Sequence, residues 1–246
     1  MNLNLENKSL KKFTPLTEEV IHLYLVPLDI TAAREDELCD VLSDEEKKRA
    51  EQFKFLHLKK RFIAAQGELR LLLSRYLSQT PESIIIERTK YGKPYLQTNT
   101  AFKFNLSHAG DYMLCGFALN SEIGMDLELI RNNYSWKKIS QRFFHATEAE
   151  YLQALPREQQ QRDFFKLWVK KEAFIKAIGL GLFCALDKFQ VMPQTTQQIV
   201  WNNSIWSLQE VPLCASYVAA VSNEGKTKRI IFLDRRVKRE PHNYND

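Results

Sequence analysis

The chain has 246 residues, 35 Lys and Arg against 30 Asp and Glu, a formal charge of +5 and a 44% share of hydrophobic residues. With only eight Gly and eight Pro, that balance belongs to a globular protein and excludes collagen-like, low-complexity and disordered chains. No apolar run approaches the ~20 residues that span a bilayer, and the segment before Thr14 lacks the apolar stretch of a secretory signal, so a cytoplasmic protein that avoids the membrane is expected.

Residues 1–20 read as a loose polar arm leading into a strand from Val20 to Val26. Ser43-Asp44-Glu45-Glu46 is a capping box, with Ser at the N-cap and Glu three residues on, and predicts a helix start. A longer helix follows from Leu58 to Leu77, where Phe62, Ala65, Leu69, Leu72 and Tyr76 recur at helical spacing. Ile84 to Ile86 is a short β-branched run, and Lys90-Tyr91-Gly92-Lys93-Pro94 a turn. Phe102 to Ser107, Tyr112 to Leu119 and Ile123 to Leu129 read as successive strands. Helices are expected over Ser140 to Leu155 and Asp163 to Ile178, the second ended by Gly179. Further strands are expected at Lys188 to Met192, Ile199 to Leu208, Tyr217 to Ser222 and Arg229 to Leu233. The order strand, helices, strands occurs twice, which predicts an α+β fold of two packed halves, residues 1–120 and 121–246. The four cysteines, Cys39, Cys115, Cys184 and Cys214, have no ligand spacing and read as reduced thiols.

Three segments carry chemistry. In Gly124-Met125-Asp126-Leu127-Glu128, strand alternation puts Asp126 and Glu128 on one face, roughly 7 Å apart at Cα. Two such carboxylates suit Mg²⁺, which takes a few carboxylates together with substrate phosphates and water. Gly124 beside them is read as room for a bulky ligand, although two solvated acids on an exposed strand would look the same. In Trp168 to Leu182, Glu172 and Lys176 lie one helical turn apart. That is also the favourable surface pair, but the helix is apolar on most other sides and so borders a cleft. In Asn105-Leu106-Ser107-His108-Ala109-Gly110, hydroxyl, imidazole and backbone N–H can meet phosphate oxygens. Ser107 and His108 point opposite ways, which argues against a nucleophile pair. Arg88, Lys90, Lys93 and the cluster Lys59-Lys60-Arg61 add positive charge. The glycines at 92, 110, 124, 179 and 181 are read as backbone crowding about a ligand.

Together these segments resemble the 4'-phosphopantetheinyl transferases, in their long, monomeric form. The resemblance runs from about Leu42 to Tyr217 and rests on four motifs in order. They are Gly92-Lys93-Pro94, Asn105 to His108, Gly124 to Glu128, and Trp168-x-x-Lys171-Glu172-Ala173-x-x-Lys176 followed by Gly179-Leu180-Gly181-Leu182. It implies two similar α+β halves related by a pseudo-twofold axis, with the active site in the cleft between them. The first half would bind the nucleotide of coenzyme A, and the second would carry the Mg²⁺-binding carboxylates and the catalytic helix. It further implies transfer of the 4'-phosphopantetheine arm of coenzyme A to a serine of an apo acyl or peptidyl carrier domain, with release of adenosine 3',5'-bisphosphate.

By the same resemblance, Asp126, Glu128 and Glu172 would hold Mg²⁺ on the pyrophosphate. Lys176 would bind the phosphate that stays with the arm, and Ser107, His108 and Lys93 the nucleotide phosphates. Asn105, Arg61, Arg88 and Lys90 would complete the coenzyme site. Glu172, alone or through a metal-bound water, would help deprotonate the serine, with Asp126 and Lys176 as its catalytic companions. Gln66 stands where many members carry Arg, so Arg61 or Arg70 would serve the adenosine 3'-phosphate. Carrier helices are commonly acidic, and an apolar patch rimmed by Lys and Arg is expected. Another Mg²⁺-dependent phosphoryl or nucleotidyl transferase is an alternative. A basic nucleic-acid-binding module is disfavoured by the absence of an aromatic recognition motif.

The net charge is unevenly spread. Residues 34–46 carry -6, residues 47–61 carry +6, and residues 226–240 carry +5, equal to the whole excess. A uniformly basic polymer binder is not built this way.

Overall fold

Alternation decides which face each strand buries, and it assembles the chain in four layers. The computed structural model describes residues 14–97, 101–131, 134–181, 184–193 and 195–235. Most of the N-terminal arm and the C-terminal part of the basic 226–240 segment lie outside these. In β1 (Val20–Pro27), Ile21, Leu23 and Leu25 point one way and Tyr24 and Val26 the other. Helices α1 (Ala32–Asp40) and α2 (Asp44–Glu51) follow, the latter started by the Ser43–Glu46 capping box. The long α3 (Leu56–Leu77) sets Ile63, Leu69, Leu72 and Leu73 against Tyr24, Phe104, Met113 and Phe117. After the short ribbon of β2 (Ile86–Arg88) and β3 (Pro94–Leu96), β4 (Phe102–Ala109) and β5 (Tyr112–Leu119) pair antiparallel with each other, and β5 with β1. The C-terminal β10 (Arg229–Arg235) returns to the free side of β1 in parallel, completing the order β10-β1-β5-β4.

The second sheet is antiparallel, ordered β6 (Ile123–Leu129), β9 (Tyr217–Glu224), β8 (Ser204–Val211), β7 (Thr196–Trp201). Between β6 and β7 come α4 (Trp136–Phe143), α5 (Ala146–Ala154) and α6 (Arg157–Ile178). Helix α6 packs Phe174 and Ala177 on Trp206, Leu208 and Ala220, while the other face of this sheet sets Met125, Leu127, Ala219 and Val221 against Leu23 and Leu114 of the first. The layers are therefore helix, sheet, sheet, helix. The strand orders β1-β5-β4 and β6-β9-β8 repeat one pattern, as the expected α+β pair of similar halves requires, but β10, from residues 121–246, joins the first sheet beside β1. No described helix is long and apolar enough to cross a membrane.

Three expected elements differ. The helix over 140–155 is two helices, because His145 turns extended and caps α5, accepting from Thr147 N–H while Glu148 accepts from His145 N–H. The strand at 199–208 is a hairpin whose two-residue loop, Asn202-Asn203, takes φ 48° and 62°, the left-handed pair that tight hairpins require. Residues 188–192 form no strand. Phe189 and Val191 are buried, but the backbone there is served by side chains: Glu148 accepts from Val191 N–H, Gln197 from Met192 N–H, and Lys171 donates to the Leu186 and Phe189 carbonyls.

Gly124 has a different use from the one its neighbours suggest. A Cβ there would lie 2.1 Å from Ala177 N and 2.2 Å from Ala173 O, both backbone atoms of α6. The glycine admits the helix to the strand and leaves no room for a ligand. Gly124→Ala is expected to destabilise the fold by about 3 kcal/mol, at the upper end for overpacking because backbone must move. Thermal unfolding checks this, and a melt equal to that of the parent chain would refute it.

Candidate functional site

The two sheets abut at their edges, and the site grows from that seam. β4 and β6 are both edge strands. The buried Asn105 on β4 accepts from Met125 N–H on β6 at 3.0 Å, a side chain filling an edge-strand vacancy. One residue pair on, Ser107 Oγ donates to Asp126 Oδ1 at 2.8 Å. From α6, Lys176 Nζ reaches the same oxygen at 2.6 Å and Ser107 Oγ at 3.0 Å. His108, pointing the opposite way as alternation demands, sits with Phe104 and Leu106 on the α3 side, where Arg61 is its neighbour. Its pKa is lowered by loss of water, then by Lys176 and Arg61, which keeps the imidazole neutral at pH 7.

A cleft of about 730 Å³ opens over this seam, walled by α3, the β2–β3 ribbon, the ends of β4 and β6, and α6. It gathers nearly every residue singled out in the sequence: Arg61, Arg88, Lys93, Asn105, Ser107 and His108 as well as Asp126, Glu128, Glu172 and Lys176. Lys90 is not among its walls, and its ammonium lies 4.7 Å from the centre of the Tyr91 ring. Arg70 is also elsewhere, buried and donating to Glu46 and to the Pro81 and Ile84 carbonyls, so of the two candidate arginines only Arg61 faces the cleft. Of the five glycines, 92, 179 and 181 line the cleft, whereas Gly110 makes room for the Tyr217 hydroxyl. Leu182 lies outside the described residues.

The electrostatics are divided. Burial, with Asp126 as a second cause, pushes Glu128 up to about 7, and the same two causes raise Glu172 against the pull of Lys176. Asp126 Oδ2 is buried and has no hydrogen-bond partner among the described residues. An orphaned carboxylate oxygen beside two carboxyl groups that resist ionisation is a place short of positive charge, and the donor set is the hard oxygen type that Mg²⁺ prefers. Among the described residues no three His, Cys, Asp or Glu side chains form a preformed metal cage. Carboxylates that share a cation with substrate phosphates do not need one. The fit is therefore to a cation that arrives with an anionic ligand.

One contributor, Arg49, and the roles of three motif residues were not evident in the sequence. Arg49 lines the cleft above the Phe62 ring. The Trp168 indole lies beside Glu128 and opposes, weakly, the rise in its pKa, which gives the signature tryptophan a role. Lys93 donates to Glu122 at 2.6 Å and to the Ala177 carbonyl at 2.9 Å, tying the ribbon turn to β6 and the end of α6. Lys171 is fully buried, paired with Glu148 at 2.8 Å, on the same helix as Glu172 and Lys176. Only its place in the motif hinted at this.

A family model described as the 4'-phosphopantetheinyl transferase superfamily matches residues 122–222, and one described as 4'-phosphopantetheinyl transferase, N-terminal, matches residues 32–118. The chain is 36% identical to the 4'-phosphopantetheinyl transferase HetI of Nostoc sp., over 86% of this chain and 90% of that one. It is 35% identical to the 4'-phosphopantetheinyl transferase psf-1 of Bacillus pumilus, over 70% and 73% of the two chains. It is 33% identical to a 4'-phosphopantetheinyl transferase of Bacillus subtilis, over 69% and 75%. The two matched segments correspond to the two walls of the cleft, and the chain belongs to the 4'-phosphopantetheinyl transferase superfamily.

Proposed function

We propose that the chain transfers the 4'-phosphopantetheine arm of coenzyme A to a serine of an apo acyl or peptidyl carrier domain, with Mg²⁺, and releases adenosine 3',5'-bisphosphate. The observation that carries this reading is the buried Asp126 Oδ2, without a partner among the described residues, beside Lys176 in a cleft lined by both carboxylates and cations. Asp126, Glu128 and Glu172 would hold the metal. Bound there, Mg²⁺ would neutralise diphosphate charge and polarise the phosphorus under attack.

The chain's own residues supply the rest, which in phosphoryl transfer is mainly positioning and charge. Lys176 spends two of its three N–H donors on Ser107 and Asp126, so it is fixed with one left for a phosphate oxygen. Arg61, Arg88 and Arg49 supply positive charge for the nucleotide phosphates, with the neutral His108 donating among them. The carrier serine oxygen forms a bond to the phosphorus on the pantetheine side as that phosphorus's bond to the bridging oxygen breaks. Glu172 takes the serine proton; its raised pKa brings it toward the range in which a general base is effective. Both walls come from one chain and all four cysteines are free, which supports a monomer in a reducing cytoplasm.

The test is incubation with apo carrier domains of both types, coenzyme A and MgCl₂, read by intact mass. Gain of the phosphopantetheine mass is expected. No gain on any carrier, or transfer from a nucleoside triphosphate instead, would overturn the reading.

The raised carboxyl groups also set a pH dependence. An acid whose folded pKa lies above its ordinary 4.5 binds more protons folded than unfolded, so the metal-free protein loses stability as pH rises from about 4.5 through 7. A cation must displace those protons, so its grip strengthens over the same window. Raising MgCl₂ is therefore expected to increase the melting temperature more at pH 8 than at pH 6, by a few degrees. Equal shifts at the two pH values would remove Glu128 from the ligand set.

A further inference from the structure

The ribbon of β2 and β3 has three residues in each strand and pairs with neither four-stranded sheet, yet Ile86, Arg88, Tyr91 and Gly92 from it wall the cleft. So small a hairpin does not hold a fixed position by itself. Its base is fastened by Ile84 and Leu96, both buried in the core of the first half. Its tip is fastened by charge. Lys93 Nζ donates to Glu122 Oε2 at 2.6 Å and to the Ala177 carbonyl at 2.9 Å, and Lys103 Nζ lies 2.6 Å from the other Glu122 oxygen. Loss of water lowers the Lys93 pKa, with the Glu122 charge as the chief opposing influence. Burial would raise Glu122, but Lys93 and Lys103 hold it below the ordinary carboxylate range.

The resemblance implies a phosphate contact for Lys93. The hydrogen bonds point elsewhere. Lys176 bonds Ser107 and Asp126, which are themselves walls of the cleft, so its ammonium faces the ligand space. Neither Glu122 nor Ala177 is among those walls, and Glu122 lines a separate cavity of about 230 Å³ that Lys93 also borders. The Lys93 ammonium is therefore turned out of the cleft, and only 13% of its side chain is exposed. Arg88 rides on the same tip, donating to the Gly92 carbonyl at 3.0 Å. We infer that Glu122 is a positioning residue for the coenzyme A site: through Lys93 it straps the ribbon tip to the start of β6 and the end of α6, and so sets Arg88 where the nucleotide phosphates lie. Lys93 is the strap and not a phosphate ligand. This rests on the reading of the chain as a coenzyme A-dependent transferase.

The sign of one effect decides. Removing a negative charge near a polyanionic ligand strengthens binding by simple Coulomb attraction, whereas unfastening the wall weakens it. In the full chain, Glu122→Gln is expected to raise the KM for coenzyme A about tenfold, because fewer molecules hold the ribbon in its seated position. The kcat and the carrier KM should not change. Lys93→Met should do the same, and the double variant no more than either alone, as two ends of one contact require. Hydrogen exchange in the ligand-free chain should quicken over residues 86–96 in both variants and stay unchanged in β5 and β9. A KM for coenzyme A that Glu122→Gln lowers or leaves alone would overturn the strap and return Lys93 to the phosphates. So would exchange that quickens in β5 and β9 as well, which would mark a general loss of stability. No transfer by the parent chain to any carrier would overturn the transferase reading and the positioning role with it, whereas parent transfer with unaltered ribbon exchange in both variants would overturn the strap alone.

Discussion

Asp126→Asn is expected to lower kcat/KM by about a thousandfold, the scale on which loss of one preorganised electrostatic group is felt in a water-poor site. The amide keeps the size of the side chain and can still accept from Ser107 and Lys176 through its oxygen. What it loses is the anionic oxygen opposite them, now a donor that cannot face a cation. Coenzyme A turnover by intact mass would show the loss, and calorimetry would show weakened Mg²⁺ uptake. Stability should fall little, because Glu128 and Glu172 are both raised by the Asp126 charge and gain from its removal what the Lys176 pair loses. Activity within tenfold of the parent would eliminate Asp126 as a metal ligand.

Lys171→Met is expected to act in the opposite way, on the fold before the chemistry. Lys171 has no exposed surface, and its ammonium is held by Glu148, by two carbonyls and by the Phe189 ring at 4.4 Å. Removing it leaves the Glu148 carboxylate buried with a charge and no counter-ion, which destabilises by about 3–5 kcal/mol. For a chain of this length that corresponds to a drop of roughly 10 °C in melting temperature. Glu148→Gln in the same chain should restore part of the loss, since the amide can still accept from Val191 N–H and no charge is stranded. A single variant that melts within 2 °C of the parent would show that the pair is not a stabilising node.

What the sequence made legible was local. The capping box at Ser43, the bounds of β5 and β6 and the glycine stop of α6 follow from short-range rules, and each is present. The cleft residues were legible for another reason: motifs separated by tens of residues supply atoms to one seam. What was not legible depends on partners distant in sequence. The segment at 188–192 has a strand's alternation, but Glu148, Gln197 and Lys171 occupy its backbone groups before any strand can. Gly124 looked like space for a ligand because nothing in its neighbours reveals that α6 will cross it. Arg61 and Arg70, nine residues apart on α3, fall on opposite faces, yet only the buried carbonyls of Pro81 and Ile84 decide which is the structural one.

The return of β10 to β1 has a consequence for how the molecule is made. Val20 lies beside Arg229, a parallel pairing that closes a loop of about two hundred residues, and such non-local contacts slow folding because the chain entropy is lost before the contact forms. During synthesis the first sheet can gather β1, β5 and β4 on α3, but its β1 edge stays open until β10 leaves the ribosome. The first sheet is thus the earlier to be started and the later to be finished, and deleting β10 would damage the half that folds first.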